Sequence, residues 1–261
     1  MIDYIISTLS GYFPHDEGSL LAGMIFGKDI NRYSELYEMF KKVGLLHIVV
    51  LSGTNISLFL SLTLSLLSFA GKKVSRVLSI IVVIAFIYLI GFDPPSVRAL
   101  MSGSIQQLSI LSGRKSYPLY VLFFSAVLIF IFKNEWIWSL SFQLSYAASL
   151  GIILFNRKSK PSSKFREYLS SELRLIFSAQ LFTAPIIFFH FREISLISPL
   201  ANLLVGFVVG PIMLLGLFTS VCAFINPYLA YIPARFLHLF LGYILFITKK
   251  LSSIPFAYVK L

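Results

Sequence analysis

The chain has 261 residues, of which 57% are hydrophobic and only 13% are charged. A soluble domain of this size cannot bury so much apolar surface in one core, and a disordered chain would be far more polar. The composition therefore excludes both classes and indicates a polytopic membrane protein. The formal net charge of +11 is first explained by the excess of Lys and Arg in the cytoplasmic loops of membrane proteins.

The first 45 residues differ from the rest of the chain. Residues 31–43 are amphipathic, and residues 20–27 are short and apolar, so we predict an interfacial helix and a re-entrant or half-membrane segment. We interpret residues 1–45 as an N-terminal amphipathic or interfacial region, and residues 46–261 as a transmembrane domain.

Stretches without Asp, Glu, Lys or Arg locate the membrane segments. The longest covers residues 194–234 and contains Pro211. It exceeds one span of about 20 residues, so we predict two segments near 194–209 and 211–226. The fold prediction is an all-α polytopic transmembrane helix bundle of about eight or nine membrane segments, some short or broken, without a soluble domain. The uncharged stretches are residues 43–71, 77–92, 99–113, 116–132, 136–156, 175–189, 194–234 and 236–248.

The distribution of charge predicts a topology. If the N-terminal region lies outside, residues 72–76, 113–116, 157–174 and 249–261 share one side of the membrane. These loops carry 14 of the 22 basic residues but only Glu167 and Glu172 of the 11 acidic ones. The bias predicts that they are cytoplasmic. This arrangement requires the long uncharged stretch to cross the membrane twice.

The residues that would support metal or nucleophilic chemistry are scattered. Cys222 is the one cysteine, and the four histidines form no HxH or HExxH pattern. A metal site normally needs several such ligands at close spacing. We therefore predict no metal, no cofactor and no enzymatic activity. The four histidines are His15, His47, His190 and His238.

Polar residues inside predicted spans are informative because they are costly in hydrocarbon. Arg98 follows Pro94 and Pro95, so it lies in the first turn of a helix, where the macrodipole disfavours a cation. Asp93, a lipid phosphate or an anionic substrate would compensate it, and snorkelling to headgroups is the alternative.

The other candidates form four clusters, and we hypothesise that all turn inward to line one water-filled path. Packing between helices is the alternative for each of them. We interpret the serine stripe at 57, 61, 65 and 68, and the pair Gly206 and Gly210, as such close packing. The candidate path residues are His47, Ser52, Gly53, Asn55, Arg98, Gln143, Ser145, Gln180, Pro185 and Asn202.

In their order along the chain, these clusters resemble the membrane channel domain of the ComEC-type bacterial competence family. The resemblance covers about residues 20–220, although the family usually has a second histidine where Asn55 stands. The matching stretches are residues 43–47, 51–53, 91–92, 96–99, 142–148, 190–191 and 201–204, with Gln180, Thr183, Pro185 and Pro211.

The resemblance implies a multi-pass channel in the bacterial inner membrane that brings single-stranded DNA into the cytoplasm during transformation. It also implies contact with membrane lipid, a separate DNA receptor and a separate ATP-driven helicase-type partner, and it is compatible with a homo-oligomer. Longer members add an OB-like region and a metallo-β-lactamase-like domain. We expect this chain to lack both, and we do not carry nuclease activity over to it.

Two alternative functions stay open at this point. Broken helices with polar groups near the midplane also suit a transporter of a small anion or polar metabolite. A non-transporting scaffold would instead recruit soluble partners through residues 157–174 and 1–45.

Overall fold

The computed structural model describes residues 2–28, 30–31, 34–49, 52–155, 164–254 and 258–260. Within these ranges nearly all of the chain is helical, which confirms the predicted all-α membrane bundle. Helices α1–α4 are Ile2–Ser10, His15–Phe26, Glu35–Val43 and Leu46–Val49. Helices α5–α8 are Gly53–Leu66, Lys72–Ile90, Pro94–Leu111 and Pro118–Phe132. Helices α9–α12 are Leu140–Phe155, Lys164–Phe191, Ser198–Ile225 and Pro227–Ser252; the short strands β1 and β2 are Glu193–Ser195 and Tyr258–Lys260.

Four of the described helices, α6, the apolar part of α10, α11 and α12, are long and apolar enough to cross a membrane. Three more, α5, α8 and α9, are apolar but shorter. Helix α7 has 18 residues and carries Arg98 and several polar side chains, which lower its hydropathy. These eight helices form the bundle. Of the predicted cytoplasmic loop 157–174, residues 157–163 lie outside the described ranges, as do Arg32 and Tyr33 of the predicted amphipathic segment.

The N-terminal helices are part of the bundle's main core. Leu20, Met24 and Ile25 of α2 are fully buried, and they share one hydrophobic cluster with α11 and α12. The amphipathic helix α3 forms as predicted and packs its apolar face, which includes Leu36 and Phe40, against α12. The boundary near residue 45 and an interfacial role for α3 stay predictions.

Helix α11 corrects one prediction. The chain from Ser198 to Ile225 is a single helix with Pro211 inside it, not two segments. Its 28 residues rise by about 1.5 Å each, so it is about 42 Å long and matches a bilayer including its headgroups. Pro211 removes one backbone donor, which did not break the helix here.

The single crossing of α11 also overturns the predicted side of the C-terminal residues. Strand β2 pairs antiparallel with β1, with Lys260 opposite Glu193 and Tyr258 opposite Ser195. Residues 258–260 therefore lie at the end of α10 that carries Phe191, opposite the end that carries Lys164. The prediction that residues 249–261 share a side with residues 157–174 is wrong. The three other loops still hold 11 basic and two acidic residues.

Five helices close into a ring. Helix α5 packs against α7, α7 against α9, α9 against α10, α10 against α11, and α11 against α5. Outside this ring, α6 packs on α5 and α7, α8 on α7 and α9, and α12 on α11. Across the ring, for example between α5 and α9, the described residues make no comparably extensive contact. We call the region enclosed by these five helices the lumen.

A buried acid joins α2 to α12 behind the ring. The Glu17 side chain is 8% exposed, and its Oε2 pairs with Nδ1 of His238, whose side chain is 44% exposed. The pair lies near the middle of α12, where apolar side chains dominate. It ties α2 into the core of a helix hairpin that also supports the ring.

Removing one partner of this pair should destabilise the fold. We expect His238→Ala to lower the free energy of unfolding by about 3 kcal/mol, since the carboxylate stays buried without its partner. Glu17→Gln removes the charge and should cost only about 1 kcal/mol. Thermal unfolding of the purified variants in detergent measures both. A His238→Ala variant as stable as the wild type would contradict the assignment.

Candidate functional site

The N-terminal ends of four ring helices lie at one end of the ring. Arg98, in the second turn of α7, donates from Nε to Oγ of Ser145 in the second turn of α9 at 2.8 Å. The backbone of Gly53, the first residue of α5, lies against the same guanidinium. Asn202, near the start of α11, lies beside His47 just before α5. We call this end, defined by Gly53, Arg98, Ser145 and Asn202, the mouth.

Arg98 reaches from α7 to both neighbouring ring helices, and Gly53 provides the necessary space. A methyl group at Gly53 would overlap the Arg98 guanidinium and lie 3.2 Å from the Pro95 carbonyl oxygen. Arg98 forms no ion pair with any described carboxylate, including Asp93. Its positive charge is therefore left without an acidic partner in the part of the chain that the structure describes.

Asp93, which the sequence suggested as a compensating group, precedes α7 in the α6–α7 connection. Its Oδ1 is buried without a hydrogen-bond partner. Burial raises the pKa of the Asp93 carboxyl above its ordinary value, and the nearby Ser96 side chain and backbone oppose this effect. Asp93 precedes the same helix as Arg98 but forms no described ion pair with it.

The arrangement of helix ends gives the mouth a positive potential. Each helix N-terminus carries roughly half a positive charge from its aligned peptide dipoles. At the mouth, α5, α7, α9 and α11 present four such ends together with the Arg98 guanidinium. Anions are favoured at such positions because free backbone N–H groups and the dipole act together. The mouth can therefore hold a negatively charged group.

His47 and Asn202 form a second polar contact beside the mouth. The His47 side chain lies close to the Asn202 side chain and the Gly44 backbone. Asn202 donates from Nδ2 to the Ser198 carbonyl oxygen at 2.9 Å and to Ser198 Oγ at 3.2 Å. The two predicted residues are thus brought together.

Ser52 and Asn55 hold the start of α5 in place. Ser52 is the N-cap, and its Oγ accepts a hydrogen bond from the Asn55 backbone N–H at 3.3 Å. The Asn55 side chain is 1% exposed and donates to the carbonyl oxygen of Met24 in α2 at 3.0 Å. Asn55 therefore positions the α5 end of the mouth from behind.

The serine stripe of α5 faces the lumen. Three successive residues of α5 contact its neighbours. Leu58 packs against the hydrophobic core that contains α11, and Leu60 covers Gly103 of α7. Between them, the centre of the Phe59 ring lies 4.3 Å from that of the Phe86 ring in α6. The face left over lies between α7 and α11, away from α6, and its side chains are exposed. The interpretation of this stripe as close helix packing is wrong. The exposed residues on this face are Ser57, Ser61 and Ser65 of the stripe, together with Thr54.

Helix α7 continues this polar lining. Ser102 and Gln106 follow Arg98 at spacings of four residues, so they share its face, whereas Gln107 turns outward and bonds Arg76 of α6. A Cβ at Gly206 or Gly210 would meet no atom within 4 Å. The two glycines therefore border open space instead of a packed helix, which again corrects the packing interpretation.

The remaining predicted residues are not brought to the mouth. Gln143 is two residues from Ser145, so it leaves α9 about 160° away from the Arg98 contact. Gln180 Oε1 in α10 is buried without a partner, and Pro185 is exposed one turn later. None of the three has a described contact with Arg98, His47 or Asn202. Whether any of the ten residues lines a transport path stays a prediction.

Sequence reasoning missed the lining residues of α5 and α7. The signal was present as hydroxyl and amide side chains spaced by three or four residues, namely 54, 57, 61 and 65, and 98, 102 and 106. A helix that packs on one side and faces water on the other has hydroxyl and amide side chains at this spacing, but so does a helix that packs against a partner through small residues. Only the positions of α6, α7 and α11 distinguish the two cases.

The chain matches the model of a known protein family. The model of the family described as Competence protein matches residues 24–261, which is most of the chain. The chain belongs to the Competence protein family. The match begins inside α2 and takes in the whole ring and the mouth, so the site described above lies within the matched region.

Individual relatives of the Competence family are distant and longer. The chain is 25% identical over 207 residues to ComE operon protein 3 of Bacillus subtilis (strain 168), which covers 77% of the chain and 26% of that protein. It is 25% identical over 225 residues to Recombination protein 2 of Haemophilus influenzae, covering 77% of the chain and 28% of that protein.

A third relative is an uncharacterized protein of Aquifex aeolicus (strain VF5), 32% identical over 176 residues, covering 67% of the chain and 40% of that protein. The chain therefore matches between about a quarter and two fifths of the length of these relatives. No solved structure matches it.

Proposed function

We propose that the chain is a cell-membrane channel of the DNA-uptake type, which passes single-stranded DNA into the cytoplasm through the lumen of the five-helix ring. The observation that supports it most is the placement of Arg98. A guanidinium that pairs with no carboxylate among the described residues lies at the mouth, among four positive helix ends and next to a hydroxyl-lined face. The competence family and the names of two relatives, ComE operon protein 3 and Recombination protein 2, point the same way.

The chemistry of the lining fits a phosphate chain. Each nucleotide brings one negative charge, which needs cationic or N–H donors on its route. Arg98 and the helix ends supply them at the mouth, and Thr54, Ser57, Ser61, Ser102 and Gln106 supply weaker hydroxyl and amide donors further in. A gradient from strong to weak binding lets a polyanion enter without being trapped.

The width of the ring favours a single strand. Five helices arranged regularly with axes about 10 Å apart leave a gap of about 7 Å. A duplex, whose major groove alone is about 12 Å wide, does not fit such a gap. The small side chains of the α5 stripe keep the gap open.

The proposal includes an orientation and partners. The loops at residues 72–76, 113–116 and 157–174 face the cytoplasm because of their excess of Lys and Arg, so the mouth opens outward. A separate receptor delivers the DNA to the mouth, and a separate ATP-driven helicase-type protein supplies the energy. The chain itself acts as a conduit without catalysis.

Uptake of labelled DNA by a transformable strain tests the proposal. We expect deletion of the chain to abolish entry of DNA into a nuclease-resistant pool while surface binding is kept. Arg98→Ala should lower entry by about tenfold, as expected for losing one charge-assisted contact. Arg235→Ala is the matched control, since Arg235 lies on α12 outside the ring over the Tyr231 ring. Unchanged entry in the deletion strain would refute the proposal.

A further inference from the structure

Basic side chains gather next to the mouth on elements that do not belong to the ring. Arg192 follows α10, Lys249 and Lys250 occupy the last turn of α12, and all three are exposed. Lys42 lies in the last turn of α3, and its Nζ lies 5.8 Å from the centre of the Tyr258 ring. We call these four residues, Lys42, Arg192, Lys249 and Lys250, the basic rim.

Three contacts place the basic rim at the mouth end of the bundle. The Tyr243 hydroxyl donates to the Leu204 carbonyl oxygen at 3.0 Å, so the C-terminal half of α12 runs back along the first turns of α11. The space beside Gly44, next to Lys42, is closed by Ser198 at the start of α11. The pairing of β2 with β1 brings the chain after Lys250 to the residues after Arg192. The rim thus borders Asn202 and His47.

The charge of the basic rim is not neutralised by the described residues. None of its four members forms an ion pair with a described carboxylate. Glu38 is the nearest acid on α3, four residues before Lys42 and about 6 Å along the helix on the same face, but the described residues show no ion pair between them. Aromatic rings accompany the cations, since Lys250 lies over the Phe246 ring at 5.9 Å and Tyr258 is exposed.

We propose that the basic rim is a binding surface for the phosphates of single-stranded nucleic acid before the strand enters the mouth. The proposal rests on the proposed function, because a strand must reach the mouth from this side. Cations spaced along one edge contact successive phosphates, and exposed aromatic rings stack on bases without regard to sequence. The rim leads directly to the positive helix ends and Arg98.

Equilibrium binding tests this surface in the absence of transport. The full chain is placed in nanodiscs of phosphatidylcholine, and binding of a fluorescent thymidine oligonucleotide is measured over a series of salt concentrations. In the triple variant Arg192→Ala, Lys249→Ala, Lys250→Ala, we expect binding to depend less on salt. The negative slope of log affinity against log salt should become shallower by about 2, or about 0.7 for each lost contact with a single strand.

The control is an equal loss of charge at the opposite end of the bundle. Lys72→Ala, Lys73→Ala, Lys115→Ala removes three exposed lysines and should leave the slope within about 0.7 of the wild type, the value of one contact. Equal slopes for the two triple variants would overturn the assignment. Unchanged oligonucleotide binding by the rim variant, with loss of bound phosphatidylglycerol measured by native mass spectrometry, would show a lipid contact and also overturn it.

A further variant separates this proposal from the channel itself. Arg98→Ala leaves the rim intact, so the salt slope of its oligonucleotide binding should differ from the wild type by no more than about 0.7, the value of one contact. The same variant should lower entry of DNA into cells. Normal rim binding together with normal uptake in the deletion strain would refute the channel and leave the binding surface standing. Loss of uptake in the deletion strain, together with unchanged binding by the rim variant, would support the channel and refute the binding surface.

Discussion

A Ser61→Trp variant is expected to fold and to reduce DNA entry to the level of the deletion strain. Ser61 is exposed on the face of α5 between α7 and α11, so an indole ring there extends into the lumen without displacing a packed neighbour. The measurement is entry of labelled DNA, with the amount of folded protein in the membrane determined in parallel.

The matched control for Ser61→Trp is Phe130→Trp. Phe130 is 62% exposed on α8, which lies outside the ring, so the same indole ring there faces lipid. We expect this variant to take up DNA like the wild type. Normal entry with Ser61→Trp, at normal protein levels, would mean that the lumen beside α5 is not the route.

A Gly53→Leu variant is expected to lose DNA entry to a similar degree for a different reason. A side chain at Gly53 overlaps the Arg98 guanidinium and crowds the Pro95 carbonyl oxygen and the Ala99 Cβ. The guanidinium has to leave Ser145, and overpacking between α5 and α7 costs about 1–3 kcal/mol of stability. Both the charge and the shape of the mouth are then changed.

Two smaller substitutions separate displacement of Arg98 from general damage to helix packing. Gly53→Ala should displace Arg98 with less damage to packing and give an intermediate entry rate. Gly206→Ala adds the same methyl group where nothing lies within 4 Å, and it should leave entry unchanged. DNA entry and thermal unfolding are measured for all three variants. Wild-type entry with Gly53→Leu would contradict a role for the placement of Arg98.

The bundle itself could be predicted from composition, but its connectivity at α11 could not. Uncharged stretches locate most of the helices because charges are expelled from hydrocarbon. Pro211 and several glycines suggested a break, yet α11 continues because its buried face packs on α2 and α12 along its length. Tertiary packing outweighed the local helix breakers, and the side of the C-terminal lysines changed with it.

The candidate site could be predicted in part. Arg98 was identifiable because a cation in the first turns of an intramembrane helix needs compensation, and its neighbours Gly53 and Ser145 were also proposed. Gln143 was proposed for its polarity alone, and the helical rotation between positions 143 and 145 takes it away from Arg98. The serine stripe of α5 was interpreted as packing, because small residues have the same spacing in packed and water-facing helices.

The most direct test of the account is the exposure of α5 to water inside the membrane. In a Cys222→Ser background, Ser57→Cys and Phe130→Cys are each placed in nanodiscs and treated with a membrane-impermeant maleimide. Both positions are exposed, but Ser57 faces the lumen and Phe130 faces lipid. The account predicts rapid labelling of Ser57→Cys and little labelling of Phe130→Cys. If Ser57→Cys reacts as slowly as Phe130→Cys, the ring encloses no water and the proposed route does not exist.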